Sequence, residues 1–386
     1  MQFKQSCIPS LLLGFLFISA SATACHAEDG PAKSDPAQWP MFRGNAQLTG
    51  VAGGSLPDEL SVLWEFRAPE GIASTAAIAD GAVYVGCDDG FLYAVDFDNG
   101  ALQWKYETRG AVQSAPLVVG QTVIVGDEEG MVHAVDARQG TARWTYATGG
   151  QIISSANHAD GRVAVGSYDG SMYCLSLDAG RLNWKYETQG RIHASPAIVG
   201  DRVIVSGCDE FLHVVDIKTG QSVNRVAMDS VAGASPAIIG DRAVVGTYDN
   251  QVRCFDWRAG STVWVFEDPD RQFPFLSSAA VTKGMVVVAG RDKMVRGLDS
   301  NDGKQRWRFA TRGKIDGSPV IVGNRVFIGS EDGVLYGLSI QDGKEVWRFE
   351  TGDGMSASPA VAAGRLIIGT FGGTVYCFGD KPRAAK

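Results

Sequence analysis

A chain of 386 residues with 45% hydrophobic content is long enough for one large closed architecture or two ordinary domains. Its net charge of −8 repels phosphate backbones, which excludes nucleic-acid binding by a general basic face and a polybasic membrane patch. With 48 glycines against 14 prolines and no low-complexity tract, the glycine load points to tight turns in an all-β chain, not to disorder.

Residues 1–27 read as an export signal: Lys4 as a minimal basic region, an apolar run from Ile8 to Ala20, then small residues from Ala22 to Ala27 with cleavage expected after Ala24 or Ala27. The run is shorter than the roughly 20 residues that a membrane span needs. Small residues before Cys25 make that cysteine a candidate for lipidation, so the expected location is the periplasm or cell envelope, soluble or lipid-anchored. Residues 28–59 form an N-terminal tail and a lead-in, Trp39 to Gly50, with the sequence WPMFRGNAQLTG. Residues 379–386 form a C-terminal tail.

Between these ends the chain repeats itself. Trp64, Trp104, Trp144 and Trp184 are forty residues apart; the next slot holds Asn224, followed by Trp264, Trp307 and Trp347. A glycine precedes every slot from the second onward by four residues, from Gly100 to Gly343. A forty-residue period in an all-β sequence means a solenoid, an array or a propeller. Each unit reads as four strands: HASPAIVG, DRVIVSG and FLHVVD are three of them in residues 193–216, and the segment leading to the slot is the fourth. Turns such as DDG, YDG and EDG join the second and third strands, where Asp-Gly supplies the positive φ of a tight hairpin. Four antiparallel strands per unit is a propeller blade. Seven units end at a slot, and the eighth, residues 348–378, has no fourth strand. The segment SVLWEF, residues 61–66, carries the unassigned Trp64 and can supply it, giving an eight-bladed β-propeller over residues 60–378 in which no sheet edge is left open.

The segments AVDFDNGALQW (residues 94–104) and AVDARQGTARW (residues 134–144) resemble the tryptophan-docking motif Ala-x-Asp-x-x-Thr-Gly-Lys-x-x-Trp of pyrroloquinoline-quinone-like repeat propellers. WD40 propellers share the period, but their Trp-Asp pair is missing. The region is similar to BamB-type outer-membrane assembly lipoproteins, and Trp-Pro-x-Phe-Arg-Gly opens other exported proteins with this repeat. The resemblance implies a fold; function has to come from a site. The docking residues, Trp64, Trp104, Trp144, Trp184, Trp264, Trp307 and Trp347, are expected to lie across the glycine peptide of the adjacent blade.

For enzymes of this fold the resemblance implies a quinone over the central channel, a calcium ion, an aspartate base and commonly a disulfide between adjacent cysteines. The sequence has no Cys-Cys pair, and its blades carry few added loops. Acidic pairs such as Asp88–Asp89, Glu128–Glu129 and Glu331–Asp332 are spread one per turn and read as solvated hairpins, so no metal site and no catalytic residue is assigned. Cys174, Cys254 and Cys377 share one slot in different repeats, too far apart to bond, and read as small buried hydrophobes, with Cys87 and Cys208 in two further slots. His133 and His213 take a slot that tyrosine fills elsewhere and read as packing. His193 lies where a first strand begins, with Gln113 and Asp316 in the equivalent slots, so these three are candidates for the channel mouth.

The other reading is a monomeric, non-catalytic scaffold that binds a protein partner in the envelope and holds no cofactor. Its candidate contact is the connection EDPDRQFPFLSS, Glu267 to Ser278, which contains the three extra residues of the one 43-residue step. Arg271, Phe273 and Phe275 are its candidate anchors, since aromatic residues and arginine are enriched at hot spots; packing of the phenylalanines inward as a plug is the competing expectation. A quinone-binding oxidoreductase and a small-ligand-binding propeller stand as alternatives.

Overall fold

The computed structural model describes residues 35–381. The signal segment, Cys25 and the last five residues lie outside them. Among the described residues every regular element is a strand. Eight sheets form an eight-bladed β-propeller.

Blade 1 shows the pattern. Its strands, from the axis outward, are Ala77–Ala79, Ala82–Gly86, Phe91–Asp96 and Leu102–Glu107, each antiparallel to the one before. The second strand is buried throughout, as continuous β-branched runs require, whereas the fourth alternates exposed and partly buried residues and forms the rim. Blades 2 to 7 repeat this order over residues 117–147, 157–187, 197–227, 237–267, 280–310 and 320–350. Blade 8 consists of Ala360–Ala362, Arg365–Gly369 and Thr374–Gly379, and Ser61–Arg67 pairs antiparallel with the last of these.

One residue before each slot, the fourth strand carries a β-bulge: Leu182 pairs with Leu175 and Trp184 with Cys174, leaving Asn183 without an opposite number. The same register break precedes the slot in the other seven blades. Opposite each tryptophan is a small residue: Cys377, Ala94, Ala134, Cys174, Cys254, Gly297 and Gly337. Three of the five described cysteines are therefore spacers beneath an indole, and all five are unpaired. Opposite Asn224 the spacer is the larger Val214.

The indoles bind the next blade. Trp64, Trp104, Trp144, Trp184, Trp264 and Trp307 each lie so close to the glycine of the following slot that a Cβ there would fall 2.4–2.6 Å from the ring. Each Nε1 donates to a carbonyl of that blade, as from Trp184 to Ile217 at 2.8 Å and from Trp64 to Phe97 at 2.9 Å. Trp347 departs from the expectation. The chain leaves blade 8 at Gly379 without a glycine turn, so this indole packs edge-on against Phe327 and Phe378 instead.

Candidate functional site

The first strands surround an axial channel, and two rings of side chains line it. In the narrower ring seven of the eight blade junctions are hydrogen-bonded through a hydroxyl; the junction of blades 1 and 2 has Ala115 in the slot and so no hydroxyl to accept. The amide of Ala115 donates to Ser155 Oγ, Ser155 to Ser195, Ser195 to Ser235, Ser235 to Ser278, Ser278 to Ser318, Ser318 to Ser358, and Ser358 to Thr75 Oγ1, at 2.8–3.2 Å. These hydroxyls belong to the SP, SS and ST dipeptides just before the first strands of seven blades, blade 2 having Ser114-Ala115 instead, so the nearly complete circle is written in the repeat. Above them Gln113, His193 and Asp316 line the same cavity with Ile153, Leu276 and Ser356; its volume is about 130 Å³. The three channel candidates thus meet one space.

The opposite end is filled. The lead-in runs along the inner edges of the first strands as a strap that touches every blade. Pro36 O accepts from Ala363 in blade 8, Trp39 O from Ile78 in blade 1, Pro40 O from Val118 in blade 2, and Ala46 O from Asn157 Nδ2 in blade 3 and from Ile198 in blade 4. Gln47 O, Thr49 O and Gly50 O accept from Ile238, Val281 and Ile321 in blades 5, 6 and 7. Val51–Ala52 then adds a parallel strand beside Val320–Val322. Phe42 projects from the strap and floors the cavity.

The open mouth is ringed by the second residue of each turn between second and third strands, whose amide bonds the connection from the preceding blade: Tyr168 to Gln151 O, Tyr248 to Val231 O, Arg291 to Pro274 O, Glu331 to Lys314 O. Tyr168 Oη and His193 Nδ1 are 2.6 Å apart, and the Arg191 guanidinium lies over the Tyr168 ring at 5.5 Å. Burial lowers the pKa of His193, so its imidazole is neutral at pH 7, and the same cause raises that of Tyr168. Asp316 forms a two-pronged pair with Arg291 at 2.7 and 2.8 Å. Burial raises the Asp88 carboxyl, and a hydrogen bond from Gln113 opposes it. Tyr168, Tyr248 and Arg291 carry no motif of their own; the signal was their shared position in the repeat, which becomes a ring only once the propeller closes, and Arg191 belongs to the connection slot that faces it.

The 267–278 connection divides its candidates. Phe273 is 49% exposed, and Arg271 is exposed but tethered, its Nη1 donating to Asp292 O at 2.9 Å. Phe275 is 1% exposed, which corrects the expectation of a surface anchor. It fills the position that Val112, Ile152 and Ile192 occupy elsewhere, pressed on Gly246 as they are on Gly86, Gly126 and Gly166. Its ring packs into a blade interface against Phe266 and leaves the channel to Leu276. Tyr248, 48% exposed, lies beside the connection: Tyr248 and Leu276 both sit over Gly233, and Phe275 N donates to Thr247 O.

The acidic turns are not all solvated. His133 Nε2 lies 2.9 Å from the Asp127 carboxylate, and its Nδ1 is 3.1 Å from Tyr106 Oη of blade 1. His213 repeats this with Asp209 and with Tyr186 of blade 3. Tyr93, Tyr173 and Tyr336 donate to Asp89, Asp169 and Asp332 from the same slot. Among the described residues no cluster of three His, Cys, Asp or Glu could hold a metal ion, and no helix is long and apolar enough to cross a membrane.

Solved structures share this architecture. BamB from Moraxella catarrhalis is 21% identical, over 85% of this chain and 100% of that one, with a TM-score of 0.72. The quinohemoprotein alcohol dehydrogenase of Comamonas testosteroni is 15% identical, over 92% of this chain and 82% of that one, at 0.79. The computationally designed Ika8 protein is 18% identical, over 83% of this chain and 99% of that one, at 0.74. At such identities the likeness is one of fold. No curated protein matches the sequence. The sequence profile described as outer membrane protein assembly factor BamB matches residues 58–158, 148–264, 209–290 and 248–381. Since those matches together span the propeller from end to end, the chain belongs to that family.

Proposed function

We propose that the protein is a non-catalytic scaffold of the cell envelope that holds a protein partner on its open face. The observation that carries this reading is two half-exposed aromatic rings in one region of the mouth: Tyr248 on a turn of blade 5, near Arg291, and Phe273 on the connection from blade 5 to blade 6 that bonds that turn and also carries Arg271. Aromatic and arginine side chains on a rigid frame are what hot spots are made of. Family membership supports a location in the envelope, where the BamB-described relatives assemble outer-membrane proteins.

The quinone-dependent reading draws its support from the fold shared with the alcohol dehydrogenase. The residues lining the channel do not fit the group. A cavity of about 130 Å³ lies below the roughly 300–1,000 Å³ of ordinary small-molecule sites, and Phe42 floors it. Its one carboxylate, Asp316, is already committed to Arg291. Hydroxyls fixed in the blade-to-blade circle supply most of the remaining polar lining. No step is therefore derived through a quinone.

The test is capture of envelope proteins by the purified chain and by a Tyr248→Ala, Phe273→Ala double variant. A hot spot loses on the order of 2 kcal/mol or more of binding, about thirtyfold, while the melting curve stays in place because both rings lie outside the blade cores. Undiminished capture by the double variant would move the binding surface elsewhere on the disc.

A further inference from the structure

The strap contains an arginine whose surroundings differ from those of the chain's other deeply buried arginines. Arg43 is 0% exposed, and its Nη2 donates to Ala279 O at 3.0 Å. Its Nε and Nη1 meet no acceptor of the protein. Arg325, by contrast, donates to the carbonyls of Leu56, Pro57 and Asp58. Arg296 also leaves Nε and Nη1 without an acceptor, but its charge is compensated by Asp268 and Asp292, and it faces the Phe266 and Phe275 rings. Arg43 forms no ion pair with any described carboxylate; burial alone moves its pKa, down to about 9, so it remains charged at neutral pH.

The neighbouring residues are arranged around this charge. Arg43 itself sits in the left-handed region at φ 60°, where a side chain this long is strained. A Cβ at Gly50 would come within 1.7 Å of Nη2, so only glycine fits there. Gly44 in turn accepts the Trp39 ring, and the buried indole Nε1 of Trp39 is another donor without an acceptor in the protein. Three donor nitrogens, Arg43 Nε and Nη1 and Trp39 Nε1, are thus enclosed without an acceptor beside a full positive charge whose one carbonyl partner, Ala279 O, is taken by Nη2. An unpaired buried charge is among the most costly features a fold can retain, and strained, unsatisfied positions mark sites with a task.

We propose that Arg43 is a buried anion site: a single small monovalent anion of about chloride size pairs with the guanidinium within the floor of the disc and fastens the strap across the channel. Full burial restricts the class, because a partner's carboxylate or an organic acid could reach Nε and Nη1 only if the strap came away. The site is apart from the mouth cavity, which Phe42 lines and Arg43 does not. On a chain of net charge −8 general adsorption of anions is disfavoured, so an anion effect governed by one arginine is specific.

Bromide distinguishes the outcomes. Crystals of the purified protein grown in bromide should show an anomalous scatterer within hydrogen-bonding distance of Arg43 Nε and Nη1. In solution, bromide exchanged for gluconate at fixed ionic strength should raise the melting temperature by about 2 °C at tenfold excess over its dissociation constant. Arg43→Met should abolish that dependence. An Arg43 environment with no anomalous peak overturns the proposal, as does an Arg43→Met protein whose melting follows bromide like the parent. If Arg43→Met does not fold, the diffraction result decides by itself.

Discussion

Trp184 is held at three points: its ring lies on Gly220, its Nε1 bonds Ile217 O, and Cys174 stands opposite it across the bulge. Replacing it with alanine removes all three contacts at one blade junction, and urea unfolding should show a loss of about 3–5 kcal/mol. Asn224 occupies the same slot and keeps part of the contact, since its Nδ2 donates to Trp257 O at 3.0 Å, the carbonyl an indole would use. Asn224→Ala should therefore cost about 1 kcal/mol, the worth of one hydrogen bond. The repeat alone makes Asn224→Trp look like a stabilising repair, but Val214 opposite now stands in the way. Overpacking by that variant should cost about 1–3 kcal/mol, with recovery when Val214→Ala is added; a melt in which Asn224→Trp alone is the more stable protein would contradict the spacer rule. The slot was legible because its residues recur at fixed spacing. Phe275 was not, because the three extra residues precede it in the 267–278 connection and hide its alignment with Val112 and Ile152.

Between neighbouring elements, the third-strand slot joins blades through a ring and a turn carboxylate, and its chemistry varies around the disc. Burial by itself would raise the Asp127 and Asp209 carboxyls, but the hydrogen bonds and charge of His133 and His213 prevail and hold both below the ordinary range. A carboxyl depressed in the folded state contributes stability above its unfolded pKa, about 3.9, and that contribution disappears as pH falls through the lower folded value. His193 acts in a higher window. Burial lowers its pKa below 6.5, as it does for His158 against the opposing charge of Asp160, so the unfolded chain binds protons first as pH falls. Unfolding free energy should thus decline below about pH 6.5 with a slope of up to about 1.4 kcal/mol per pH unit for each group. His193→Gln should flatten that slope, and an unchanged slope in the variant would show that the imidazole is solvated when folded. These clasps were hidden in the sequence because tyrosine, histidine and arginine alternate in one slot, and only the turn carboxylates beside them give the residues a common role.

For the molecule as a whole, the strap makes the two faces of the disc unequal. One end of the channel is filled by Phe42, Arg43 and a backbone that touches all eight blades, so an exposed apolar contact is left to the mouth and the rim. The blade count and the short connections were legible because each repeat writes its own turns. The path of the strap was not, since its hydrogen bonds run from its own carbonyls to strand edges in all eight blades and leave no pattern in the segment itself. Nor was the circle of mouth residues, which are neighbours only after closure. The rim shows apolar residues such as Val346, 53% exposed on the fourth strand of blade 7, whereas Tyr248 and Phe273 belong to a turn and a connection that are bonded to each other, with Arg291 and Arg271 in the same region. A photoreactive amino acid placed at residue 273, and in a separate chain at residue 346, measures this difference in the intact envelope. A discrete protein adduct from residue 273 and none from residue 346 is the expected result; no adduct at 273, or the same adducts from both positions, would contradict a scaffold that binds its partner at the mouth.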